Sequence, residues 1–131
     1  MTHGTPRNAA EPRLASGRRC TLTEPHVPGL HGYYVLSVAD QTAAPGPAEL
    51  DELTLLAHRM GRQLAAASLG DPECYSVLYN AARTRRKPWP HFHILLAAST
   101  SQKRRAFALL QLKHVLRWFD RARARLRWSP A

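Results

Sequence analysis

Hydrophobic and polar positions along this 131-residue chain fall into a few stretches with a clear period. Gly32-Tyr33-Tyr34-Val35-Leu36-Ser37-Val38 is aromatic and β-branched and predicts a strand. Pro45, Gly46 and Pro47 break regular structure between Ala43 and Ala48. Leu53, Leu56, Met60 and Leu64 then follow at steps of three, four and four, one apolar stripe at helical period. Glu49, Asp51 and Glu52 sit in the first turn of that helix, where acids favour the dipole, and Gly70, Asp71 and Pro72 end it. Cys74 to Asn80 predicts a second strand, Ala81 to Pro90 a basic loop, and the segment from Pro90 to about Ala98 a third strand. A last helix runs from about Gln102 to Arg127, with Leu109, Leu112, Leu116 and Phe119 as its buried stripe.

Upstream of the periodic region the pattern is lost. Residues 1–18 are rich in Pro, Arg, Gly, Ala and Thr and read as a disordered basic leader. Residues 20–30, with Pro25, Pro28 and Gly29, read as an irregular approach segment. The order β, α, β, β, α predicts one α+β domain over residues 19–131, an antiparallel sheet with helices packed on one side.

The third strand carries the candidate chemistry. In Pro90-His91-Phe92-His93-Ile94-Leu95-Leu96, strand alternation sends His91 and His93 to one face and Phe92, Ile94 and Leu96 to the other. Two imidazoles on one face are candidates for a metal or for a phosphate. A zinc site needs three or four ligands, and the nearest further donors, His58, His114, Asp40 and Cys74, have no diagnostic spacing. A catalytic metal site is therefore weakly supported and none is expected. For phosphate chemistry, a neutral imidazole nitrogen attacks phosphorus when an acceptor holds its partner nitrogen, and a neighbouring imidazole supplies the leaving-group proton. Asn80, Arg83, Arg85, Arg86, Lys87 and Trp89 are the candidate substrate-binding residues around the pair.

Charge points the same way. Lys and Arg number 19 against 9 Asp and Glu, a formal net charge of +10, which suits a polyanionic partner: a nucleotide, a nucleic acid or an acidic surface. The arginines at 117, 121, 123, 125 and 127 read as a solvated helix face ahead of a nucleic-acid groove, and Trp118, Phe119 and Trp128 as packing residues. The two cysteines, Cys20 and Cys74, match no zinc signature. With neither a secretory apolar region nor a run of 18 apolar residues, the expectation is a cytoplasmic protein with no membrane partner and free thiols. A Cys20–Cys74 bridge stays open.

From Gly32 to Ala98 the chain resembles the histidine triad superfamily of nucleotide hydrolases and transferases. The resemblance rests on a strand opened by Gly32, the helix around Leu53 to Leu64, Val77-Leu78-Tyr79-Asn80, and His91-Phe92-His93-Ile94-Leu95-Leu96 ten loop residues later. It implies a nucleotide or nucleotidylated small molecule as substrate, a histidine nucleophile on the α-phosphorus, a homodimer, and no required cofactor. The family carries three alternating histidines and this chain two. If His91 and His93 match the first and second, His93 attacks, His91 orients, Asn80 assists, and Leu95 stands at the third position; the spacing from Asn80 favours this alignment. If they match the second and third, Trp89 stands at the first position and His91 attacks. The family's Gly-rich loop is Arg-rich here.

The same Pro-His-Phe-His segment also resembles the metal-binding motif of rolling-circle replication and relaxase endonucleases, in which two histidines hold a divalent metal and a tyrosine attacks single-stranded DNA. Here every tyrosine precedes the histidines, the last being Tyr79. A third reading is a binding module that has lost its chemistry and holds nucleotide or RNA.

Overall fold

The computed structural model describes residues 11–40, 43–81 and 89–127. Four strands, β1 (Cys20–Thr23), β2 (Tyr33–Val38), β3 (Tyr75–Tyr79) and β4 (His91–Leu96), form one antiparallel sheet in the order β1-β2-β4-β3. Two helices complete the α+β architecture, α1 (Pro47–Leu69) between β2 and β3 and α2 (Thr100–Arg127) after β4.

Register assigns every side chain of the sheet to a face. On one face Leu36 pairs with Phe92, Tyr34 with Ile94 and Cys20 with Val38. That face is apolar along its length, and α1 buries it with Leu53, Ala57 and Ala65. Phe92, Leu36, Leu53 and Ile94 are the largest fully buried side chains. Pro47 opens α1 at a position where its missing N–H costs nothing, and Gly70 closes it in the left-handed conformation at φ 71°.

The opposite face is split. At one end Tyr33 pairs with Leu95, and both are buried with Val27 and Ala106. Phe107 and Leu110 of α2 and Val35 of β2 pack against that cluster. At the other end the face carries the histidines. The two helices therefore lie on opposite faces of the sheet, which corrects the expectation of helices on one side. The reason lies in β2 and β4 themselves: Tyr33 and Leu95 leave an apolar patch on the histidine face, and α2 turns onto it directly after β4.

Three further expectations change. The segment 20–30 begins with a regular edge strand, whose Cys20 and Leu22 alternate with Thr21 and Thr23 over too few residues to stand out. Residues 11–18, assigned above to a disordered leader, fold onto α1. Leu14 is buried in the core, the Ala15 N–H donates to Glu52 at 2.8 Å, and the Ser16 hydroxyl donates to Glu49 at 2.9 Å. The Ser16 hydroxyl, with the Gly46 N–H and the Arg18 guanidinium, holds the Glu49 carboxyl below its ordinary range. Residues 1–10 lie outside the described residues. Finally, the predicted apolar stripe of the last helix is exposed at Leu112 (52%) and Leu116 (54%), Leu109 is half-buried, Ala106 is the buried residue of the helix among those described, and the Phe119 side chain lies outside the described ones.

Cys20 and Cys74 are free. They belong to opposite edges of the sheet, Cys20 on β1 and Cys74 beside β3. Three inter-strand spacings amount to about 14 Å, beyond the reach of a disulfide. Burial raises the Cys20 thiol above its ordinary range.

Gly61 gives a test of how α1 seats on the sheet. A Cβ there would come within 2.5 Å of Tyr75 Cδ2. The ring is held at both ends, by its strand and by a 3.0 Å bond between its hydroxyl and His58 Nδ1. Alanine normally gains about 1 kcal/mol over glycine inside a helix, but overpacking costs about 1–3 kcal/mol. Gly61→Ala is expected to lower stability in chemical denaturation; a rise of the full helical increment would contradict this packing.

Candidate functional site

The histidine face forms rows running across the strands. The first row is Thr21, Ser37 and His91, directly paired from β1 through β2 to β4. The Thr21 and Ser37 hydroxyls lie 3.3 Å apart. Asn80 follows β3 one residue past its last pair, Tyr79 with Phe92, where continued pairing would set it opposite His91. The second row is Thr23, Val35, His93 and Leu78. The third is Tyr33, Leu95 and Ser76, beneath α2 at its Tyr33–Leu95 end. One end of the face therefore carries the polar groups, half-buried and with no helix over them among the described residues, and the other is apolar and covered by α2.

Both histidines are half-buried, with ring centroids 4.8 Å apart and planes at 71°. Their Nδ1 atoms are engaged differently. His91 Nδ1 lies 3.0 Å from the Trp89 carbonyl oxygen. A carbonyl only accepts, so Nδ1 carries the proton and donates, and the lone pair of the neutral ring resides on Nε2. Among the described residues that Nε2 has no hydrogen-bond partner. His93 Nδ1 lies 2.6 Å from the Tyr33 hydroxyl, and the two rings are stacked at 7° with centroids 5.8 Å apart. A hydroxyl both donates and accepts, so this bond allows either tautomer.

Tyr33 is the site residue that the linear sequence hid. It pairs with Leu95, not His93, and reaches the histidine as a diagonal neighbour on the same face, within range of an aromatic side chain. It is 7% exposed, and burial raises its phenol above the ordinary range. Thr21 and Ser37 were hidden for the same reason, since their closeness to His91 is a property of register. Period-two alternation in residues 20–23 is the signal that would have pointed to Thr21.

The structure brings together His91, His93 and Trp89 from the candidates read in the sequence, and Asn80 follows directly on β3. Arg83, Arg85, Arg86 and Lys87 lie outside the described residues, as does Trp128. Leu95, where the first alignment sets the third histidine, is 3% exposed and covered by Ala106. Among the described residues no group of three His, Cys, Asp or Glu side chains is placed to hold a metal ion. His58 and Cys74 are remote from the pair: His58 bonds Tyr75 from α1, across the sheet. A separate cleft of about 750 Å³ opens at the far end of the sheet, lined by Tyr34, Leu96, Gln102 and Arg105 among others, and it includes neither histidine. Concavity favours that cleft, but the convergent imidazoles and hydroxyls favour the histidine face, and chemistry decides the assignment.

Comparison of the chain with protein-family models, with curated proteins and with solved structures finds no match. Among the described residues no helix is long and apolar enough to cross a membrane.

The tautomer assignment is directly measurable. Long-range ¹H–¹⁵N spectra near neutral pH are expected to show neutral His91 protonated at Nδ1, in the wild type and in Tyr33→Phe alike. The same substitution removes the partner of His93 Nδ1 and is expected to cost about 1 kcal/mol of stability. An Nε2-protonated His91, or His93 signals unmoved by Tyr33→Phe, would contradict this geometry.

Proposed function

We propose that the chain binds a nucleotide phosphate on its histidine face and hydrolyses or transfers the nucleotidyl group, with His91 as nucleophile. The observation that carries this reading is the His91 Nδ1–Trp89 carbonyl bond, which keeps the Nε2 lone pair available for attack. His91 Nε2 attacks the α-phosphorus, an N–P bond forms, and the bond from phosphorus to the leaving group breaks. His93 acts as the imidazolium, its Nδ1–H donating to the Tyr33 oxygen, and gives its Nε2 proton to that leaving group, which leaves it neutral. Water, or an acceptor hydroxyl in a transfer, then attacks phosphorus and passes its proton to His93 Nε2, and the N–P bond breaks to release neutral His91. The Thr21 and Ser37 hydroxyls donate to phosphate oxygens along the first row, and Asn80 assists at its end.

This reading places attack on His91, in the alignment where Trp89 stands at the first motif position. The histidine triad resemblance supports phosphate chemistry on this strand through the order of strand, helix, strand, Asn80 and alternating histidines; its Asn80 spacing matches the alignment with His93 as nucleophile, and it is the Nδ1 bond of His91 that moves attack to His91. The finer fold assignment, a histidine triad-like domain, belongs to the same proposal.

One observation favours the metal-dependent single-strand endonuclease as a second reading. The Tyr33 hydroxyl stands beside His93, and both Nδ1 atoms are held from behind, as in histidines that ligate metals. Burial of Tyr33 and the elevation of its phenol weigh against its service as a nucleophile toward DNA.

Turnover of an adenosine phosphoramidate or a dinucleoside polyphosphate, with and without chelator, decides between them. The expected result is chelator-insensitive turnover that falls about 10³-fold or more in His91→Ala and about 10²-fold in His93→Ala, with unchanged circular dichroism. Full activity in His91→Ala overturns the assignment. Chelator-sensitive nicking of single-stranded DNA supports the second reading instead, and tight nucleotide binding without turnover reduces the site to a binding module.

A further inference from the structure

The cleft at the far end of the sheet is built by a different part of the fold from the histidine face. It opens where the last turn of α1, the early turns of α2 and the loop from β1 into β2 converge. The Gly32 carbonyl accepts from the Leu96 N–H at 2.8 Å and ties that loop to the end of β4. A Cβ on Gly32 would come within 2.9 Å of Leu96 Cβ, so only glycine lets the two segments lie this close. At about 750 Å³ the cleft falls within the roughly 300–1,000 Å³ that takes a drug-sized organic molecule. Leu30, Leu69, Leu96 and Leu109 give it an apolar wall. Gln102 and Arg105, three residues apart and therefore neighbours on the surface of α2, give it two donors. Gln102 Oε1 accepts from the Ala98 N–H at 2.9 Å, which leaves the side-chain NH2 to donate. Arg105 has no hydrogen-bond or ion-pair partner among the described residues. His31 and Glu24 complete the charged and titratable lining with Tyr34. Burial, and after it the Glu24 carboxylate, raise the Tyr34 phenol above its ordinary range, so the negative charge lies toward β2 and the positive charge on α2.

We propose that this cleft binds a small amphipathic monocarboxylate, an acyl or aryl acid whose carboxylate is taken by Arg105 and Gln102 and whose apolar body lies on Leu30, Leu69, Leu96 and Leu109. A guanidinium meets a carboxylate with two parallel N–H donors, and its charge makes those bonds stronger than neutral ones. The apolar body leaves water as it settles on the leucines. A second negative charge on the ligand would meet Glu24, so the cleft disfavours dianions, and with them the nucleotides assigned above to the histidine face. Capture here needs neither histidine.

The test titrates the full chain with decanoate by isothermal calorimetry, with hexanoate, decanedioate and decylammonium as comparison probes, all below their micellar concentrations. Wild type is expected to bind one decanoate saturably, and hexanoate more weakly by about two- to fourfold for each methylene removed. Decanedioate and decylammonium are expected to bind about tenfold more weakly than decanoate or worse. Arg105→Gln is expected to lose about tenfold in decanoate affinity, and Arg105→Lys less, because a point charge keeps the attraction without the fork. Glu24→Gln is expected to tighten decanoate binding by removing a like charge. Both positions are exposed, so circular dichroism is expected to stay unchanged in all three variants. Leu112→Ser/Leu116→Ser removes the exposed apolar line of α2 instead and is expected to bind like wild type. Nuclear Overhauser contacts from the decanoate methylenes are expected at the Leu69, Leu96 and Leu109 methyls. Full decanoate affinity in Arg105→Gln, its loss in Leu112→Ser/Leu116→Ser, equal affinity for decylammonium, or no saturable binding at all would overturn the proposal.

Discussion

β4 is hydrogen-bonded on both sides, to β2 and to β3, and its register with both neighbours dictates which way its side chains face. Phe92 and Ile94 are buried beneath α1, so a slip of one residue would drive two imidazoles into a dry core and two large apolar groups out of it. That penalty, about 1.5–3 kcal/mol for each apolar side chain exposed and more for each polar group buried unpaired, holds His91 and His93 on the opposite face. The rest of the site follows from this one constraint. The same register that points the histidines outward sets Ser37 and Thr21 in line with His91, and Tyr33 diagonal to His93.

The two histidines are chemically unequal because their Nδ1 partners differ. A backbone carbonyl admits one tautomer, and a phenol hydroxyl admits two. One ring is therefore suited to present a lone pair and the other to exchange a proton, a division of roles that phosphoryl transfer by a histidine requires. The contrast along the face serves the same end. Tyr33 and Leu95 anchor α2 at one end, and the hydroxyls and imidazoles at the other are half-buried.

Much of this was legible in the sequence, for reasons that can be named. The α1 stripe at Leu53, Leu56, Met60 and Leu64 and the alternation of β4 both express a strong local period, and both elements form where that period places them. Gly70 ends α1 as the breaker signal indicates. What was not legible depended on pairing between distant segments. β1 is four residues long and finds its role only as the edge partner of β2. The segment 11–18 has no period of its own and is ordered by Glu49 and Glu52 of a helix more than 30 residues away. The stripe of Leu109, Leu112 and Leu116 has helical spacing, yet α2 turns Ala106, Phe107 and Leu110 to the sheet, because the patch made by Tyr33 and Leu95 lies under its early turns. The Tyr33–His93 bond joins residues 60 apart and is visible only once register is known.

The most direct test of the central claim is to trap the covalent intermediate. The full chain is quenched during turnover of a nucleoside phosphoramidate, digested under alkaline conditions that preserve phosphoramidates, and mapped by mass spectrometry. The account predicts a nucleotidyl adduct on the peptide containing His91-Phe92-His93, localised to His91 and absent from His91→Ala. An adduct on His93, or turnover with no histidine adduct at all, would contradict it.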